Sequence, residues 1–283
     1  MKYGLWMSRA HPAQFAELTV EAERLGFESV WMSEHLVMPV TMTGSPLEGE
    51  EHPPVPPTLP IFDTCAYLSY LAGLTSRIRL GTWVYLLGYR HPIVAARSMA
   101  TVDILSNGRT TFGLGAGWLR EEGEALGLDW PSRGRRLDEA MEICRQLWTD
   151  KEVEWHGKEF DFPPVMFEPK PVQRGGPPLL VGGESPAALH RVARLGDGWI
   201  AMAHSPESIQ PFMDALDTAC AAVGRRRADL QIVVGCPSVD DLDPRPWEDM
   251  GVDCLIVGPW ASPSRAMAGI RDFAETHLNG AGE

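Results

Sequence analysis

The run Val181-Gly182-Gly183-Glu184-Ser185-Pro186 has the makings of an anion site. Two adjacent glycines leave the backbone bare, Ser185 is a good helix N-cap, and Pro186 suits a first helical turn. A helix start offers free N–H groups and the positive end of a dipole, which together favour a phosphate. The same residues would also serve an ordinary capped helix. A second constellation, Ser33-Glu34-His35, sets a carboxylate beside an imidazole. Histidine alone titrates near neutrality unperturbed, so an acidic neighbour could tune it for proton transfer. Neighbours on a strand point to opposite faces, so Glu34 and His35 need not touch, and a histidine that only pins a loop fits the same residues.

Two glycine-bearing apolar runs complete the set. In Leu80-Gly81-Thr82-Trp83-Val84-Tyr85 the glycine interrupts a β-branched and aromatic strand, which suggests a bulge or the close approach of another group to the backbone. Gly113-Leu114-Gly115-Ala116-Gly117-Trp118 lacks the helix that should follow a GxGxxG turn, so it is a poor dinucleotide fingerprint. Tight backbone beside a flat ligand explains it better, as does plain close packing. The eight histidines are scattered, and the five cysteines form no C-x-x-C pair. No metal site is therefore expected, and the cysteines read as apolar filler in a reducing compartment.

Positioning such groups falls to an alternation of short apolar runs with longer amphipathic ones. Strands are expected at 3–7, 28–33, 78–84, 110–116, 178–182, 198–202, 230–235 and 253–257. Helices are expected at 12–25, 61–75, 92–105, 133–149, 185–195, 206–223, 245–250 and 263–278, with a hairpin over 152–162 turning at His156-Gly157. Strands that alternate with helices imply right-handed crossovers and a parallel sheet. Eight such units match the (β/α)8 barrel, here with insertions after strands 2 and 4 and a single domain over 1–283. An open doubly wound sheet is the runner-up, but the segment after the first strand, MSRAHP, has no glycine-rich turn. Barrel enzymes place their chemistry at the C-terminal ends of strands, where all four constellations fall. Residues 39–60 carry seven prolines and no periodicity, and their place after strand 2 suits a lid.

Composition narrows the partners. The 283 residues carry 25 Lys+Arg against 38 Asp+Glu, a net charge of −13, the wrong sign for a nucleic-acid or anionic-membrane binder. The first residues, MKYGLWMSRAHP, hold no apolar run of signal-peptide length, and no stretch approaches a membrane span, so a cytoplasmic protein is expected.

Taken together, SVWMSEHLVMP, RIRLGTWVYLLGYRHP, TVDILSNGR, FGLGAGWLREEGEALG, RGRRLDEAMEICRQLW and PPLLVGGESPAALHRVARLGDGW resemble the bacterial-luciferase-like superfamily. More narrowly, they look like its deazaflavin (coenzyme F420)-dependent oxidoreductases. The match runs through nearly the whole chain in order. It implies a (β/α)8 barrel, a homodimer with helices near the strand 2 and 3 crossovers in contact, and hydride transfer to or from a small organic substrate. It gives His35 a place at the reactive edge of the cofactor ring, with Glu34 on the adjacent acidic position, and these two are the candidate catalytic residues. It puts a non-prolyl cis peptide at Trp83-Val84, behind the ring, and the phosphate loop at Gly182, Gly183, Glu184 and Ser185. Thr82, Gly115 and Trp118 complete the implied cofactor set. Two positions depart from the pattern. Deazaflavin sugar-phosphate dehydrogenases carry a glutamate where Trp118 stands, and luciferase carries a phosphate-binding arginine where Ala116 stands. The alternatives are a flavin mononucleotide (FMN)-dependent monooxygenase and a barrel that binds a ligand without turnover.

Overall fold

Strands covered by helices outside and by side chains within are buried on both faces, which is why they read as unbroken apolar runs rather than alternating ones. The computed structural model describes residues 1–43 and 56–278. Its strands are β1 (Lys2–Trp6), β2 (Ser29–Met32), β3 (Arg79–Tyr85), β4 (Thr110–Leu114), β5 (Val153–His156), β6 (Asp161–Val165), β7 (Leu179–Gly182), β8 (Gly198–Ala203), β9 (Gln231–Gly235) and β10 (Cys254–Val257). All but β5 and β6 close into a barrel in the order β1-β10-β9-β8-β7-β4-β3-β2, and every pairing in it is parallel. This is the expected (β/α)8 barrel; the open sheet is excluded by the β1 to β10 closure.

The helices are α1 (Phe15–Leu25), α2 (Thr64–Leu74), α3 (Pro92–Leu105), α4 (Arg120–Ala125), α5 (Arg133–Thr149), α6 (Pro186–Leu195), α7 (Pro206–Ala222), α8 (Arg245–Asp249) and α9 (Ala266–His277). Their ends follow local chemistry. α1 stops at Gly26, whose φ of 93° suits a residue without Cβ. The expected helix at 61–75 starts later, because the Asp63 carboxylate accepts the Ala66 N–H at 2.7 Å and caps it. The expected stretches at 12–25 and 263–278 each open with a single 3₁₀ turn before the α-helix. Between β4 and β7 lie α4, α5 and the antiparallel β5–β6 hairpin, the expected insertion after strand 4. The six-residue α4 was not expected, since its sequence REEGEA is mostly charged.

Two apolar layers result. Outside the strands, a large core packs helices onto the barrel wall. Inside, Trp31, Trp83, Leu180, Ile200, Val233, Cys254 and Ile256 fill the barrel. Gly81 owes its place to this filling: a Cβ there would overlap the Trp31 ring, so the glycine permits a close approach. The expected bulge is present as well, as a register shift between Thr82 and Tyr85. Of the expected lid, residues 44–55 lie outside the described residues. No described helix is long and apolar enough to cross a membrane.

Candidate active site

At the C-terminal end of β2 the alternation of side chains separates two charged neighbours. Glu34 turns into the wall between β2 and β3, where Arg90 grips it with two bonds, Nη2 to Oε1 at 2.8 Å and Nη1 to Oε2 at 3.0 Å. The Leu86 N–H donates to the same carboxylate at 2.7 Å, and the guanidinium covers the Tyr85 ring at 4.3 Å. Burial pushes the Glu34 carboxyl up, against the opposing pull of Arg90 and the Leu86 N–H. Glu34 therefore braces the loop after β3 and does not touch His35.

His35 points the other way and meets Glu122 of α4, with Nδ1 at 2.8 Å from Oε2. The second oxygen of Glu122 accepts the Leu36 N–H at 2.6 Å and the Val37 N–H at 3.4 Å. Such a carboxylate can only accept, so His35 Nδ1 carries the proton and Nε2 is left for a ligand. The Glu122 side chain is 1% exposed and that of His35 20%, so the imidazole reaches the mouth and its partner does not. Trp118 stands edge-on to the His35 ring, 5.9 Å between centroids. The neighbouring Glu121 accepts the Thr43 N–H at 3.0 Å, so α4 fastens the start of the loop after β2 at two points.

On β3 the Trp83–Val84 peptide is cis. Trp83 is turned into the barrel, edge-on to Trp6 at 5.2 Å. Val84 is turned to the rim, where its methyls approach the positions a Cβ would take on Gly115, at 2.5 Å, and on Gly182, at 2.9 Å. Bare backbone from β4 and β7 thus borders Val84 on both sides. Thr82 is buried and donates its hydroxyl to the Gly113 carbonyl at 2.8 Å.

After β7, Gly183 takes a φ of 103°, a conformation that favours glycine. The Ser185 hydroxyl accepts the Ala188 N–H at 3.2 Å and caps α6. The Glu184 carboxylate turns from the helix start to accept the Met202 N–H at 2.7 Å. It also lies 3.5 Å from Nε2 of His204, a buried ring nitrogen without a hydrogen-bond partner. Among the described residues no His/Cys/Asp/Glu group could hold a metal ion.

The structure brings His35, Trp118, Val84, Gly115 and the Gly182–Ser185 loop to one end of the barrel. It sets Glu34 and Thr82 into the wall and Trp83 inside. Sequence reasoning missed Glu122, Arg90 and His204. Only His204 left a sequence signal, its place just past a barrel strand.

A family model described as luciferase-like monooxygenase matches residues 2–271. A Mycobacterium tuberculosis protein named as uncharacterized is 32% identical over 270 residues, covering 91% of this chain and 92% of that one. An F420-dependent glucose-6-phosphate dehydrogenase of Microbacterium testaceum is 30% identical over 229 residues, 79% of this chain. The match covers 63% of that dehydrogenase, under two thirds of its length. Among solved structures, the monooxygenase RslO1 from Streptomyces bottropensis has a TM-score of 0.77 at 22% identity over 99% of both chains, a likeness of fold.

Proposed function

Because this chain belongs to the luciferase-like monooxygenase family, we propose that it is an oxidoreductase that holds coenzyme F420 at the barrel mouth. There it transfers hydride to or from a small organic substrate. The observation that carries this is that Val84, the Gly182–Ser185 loop and the His35–Trp118 pair gather at one end of the barrel, where Val84 packs into the space that Cβ atoms on Gly115 and Gly182 would fill. The loop Gly182–Ser185 would take the phosphate, since Gly183 takes a backbone conformation that favours glycine and Glu184 is turned away to accept the Met202 N–H. F420 is favoured over FMN by the dehydrogenase relative and by Ala116, which offers no cation to a flavin phosphate.

When bound, the deazaflavin supplies the hydride acceptor or donor. The chain supplies the rest. Glu122 holds the His35 tautomer, and His35 Nε2 takes or gives the proton that accompanies hydride transfer. Trp118 steadies the imidazole edge-on. Glu34 and Arg90 act at one remove, as positioning residues that fix the loop after β3.

Gly183→Val tests the phosphate loop. The φ of 103° costs a β-branched residue about 1–2 kcal/mol, and its side chain would cover the exposed backbone. F420 affinity is expected to fall roughly tenfold or more, about 1.4 kcal/mol or above. The measurement is a fluorescence titration of the folded variant; an unchanged affinity would put the phosphate elsewhere.

We also propose a homodimer. Tyr70 on α2 and Val94 on α3 are 56% and 58% exposed, and these two helices pack side by side after β2 and β3. An apolar surface of this kind fits a self-complementary interface. Light scattering at micromolar concentration is expected to give twice the 31.2 kDa protomer mass, and the protomer mass itself would remove the dimer.

A further inference from the structure

Arg9, just past β1, is at the same end of the barrel as His35 and has no part in the steps above. Its Nη1 donates to the Gly258 carbonyl at 3.1 Å. Its stem lies so close over Gly258 that a Cβ there would come within 2.8 Å of Arg9 Cδ. The Trp260 indole N–H donates to the Arg9 carbonyl at 3.0 Å. The residue is thus fixed from the β10 side while remaining exposed.

Its charge is unmatched. Near the same strand ends Arg90 is paired with Glu34, and Arg120 lies 3.8 Å from Glu124. Arg9 has no carboxylate partner among the described residues. In a chain of net charge −13, an exposed guanidinium held in place without an acid is available to an incoming anion.

Its surroundings say what that anion belongs to. The guanidinium carbon is 5.9 Å from the Trp6 ring centre, and Trp6 stands against Trp83. The Trp6 indole N–H reaches Ser33 Oγ at 3.4 Å, and the Ser33 N–H donates to Ser8 Oγ at 3.1 Å. Ser33 lies two residues before His35. Arg9 and Trp6 therefore border the sector of the mouth next to His35, with a cation above an aromatic surface.

We propose that Arg9 is a specificity-determining residue that binds an anionic oxygen group, carboxylate or phosphate, of a substrate whose apolar part lies over Trp6. A guanidinium with only one N–H group committed keeps the fork geometry that suits either anion. The assignment rests on the barrel mouth being the active site.

The test uses calorimetry on the F420-loaded protein with three probes that share a phenyl ring: benzoate, phenyl phosphate and neutral benzyl alcohol. At least one anion is expected to bind roughly tenfold or more tightly than the alcohol, the scale of one hydrogen bond between charged groups. Arg9→Met should bring that anion to the level of the alcohol without changing alcohol binding, and Arg9→Lys should keep part of the preference. Should Arg9→Met not fold, Arg9→Gln takes its place. No preference for either anion in the wild-type protein, or an anion bound equally well by the neutral variant, would overturn the proposal. F420 loading is read from its own absorbance. A failure to load would count against the cofactor, while the probe comparison on the cofactor-free protein still decides Arg9.

Discussion

His35→Asn is expected to lower turnover by roughly 10²–10⁴-fold, the usual contribution of a positioned acid or base. Asparagine sets its amide N–H where Nδ1 stands, so it can donate to Glu122 and keep the loop after β2 in place, but it cannot take up or release a proton near neutral pH. The melting temperature should therefore move little. His35→Ala should show the same loss of turnover together with a looser loop, because the bond to Glu122 at 2.8 Å disappears. Steady-state kinetics and a melting curve on both variants separate the roles. Wild-type turnover in His35→Asn would make the histidine a loop pin, with its proton coming from solvent or another residue.

Arg90→Met is expected to lower the unfolding free energy by about 3–5 kcal/mol, because it strands the buried Glu34 charge against a single backbone N–H. Adding Glu34→Gln should recover part of the loss, since that residue carries no charge to strand. The pH dependence has a definite sign. Burial already raises Glu34 in the folded state, and removing Arg90 raises it further. A carboxyl raised on folding favours the folded state at low pH, and this contribution is lost as the pH rises through the folded value. The deficit of Arg90→Met should thus shrink as the pH is lowered. Urea unfolding at several pH values measures this, and a loss under about 1 kcal/mol would mean that solvent reaches the pair.

The barrel was legible because its strands are buried on both faces and its helices announce their ends. His91-Pro92 and Ser185-Pro186 each set a side-chain cap before a proline that can occupy the first turn. The cis peptide at Trp83–Val84 came from family resemblance rather than from any periodicity. The distinction between wall, interior and rim along Thr82, Trp83 and Val84 was not legible, because the register shift after Thr82 breaks the strand alternation. Gly81 gave the right signal, and the group that approaches it proved to be Trp31. Glu122 was hidden for a different reason. In REEGEA it reads as one more solvated carboxylate, and its burial depends on His35, which is 87 positions away in sequence. Glu34 and Arg90, 56 positions apart, form a pair of the same kind. Contacts of that range are set by the parallel pairing of β2, β3 and β4, which brings the loops after them to one end.

The most direct test of the central claim is to titrate the purified protein with F420 and, separately, with FMN, following ring absorbance and tryptophan fluorescence. A saturable F420 response with tryptophan quenching is expected, because Trp118 and Trp83 lie at or just beneath the mouth. The response should be stronger than that to FMN and weakened in Gly183→Val. Saturation by FMN with no response to F420 would contradict the deazaflavin assignment and support an FMN-dependent monooxygenase. No response to either would contradict a cofactor at the barrel mouth and leave a barrel that binds a ligand without turnover.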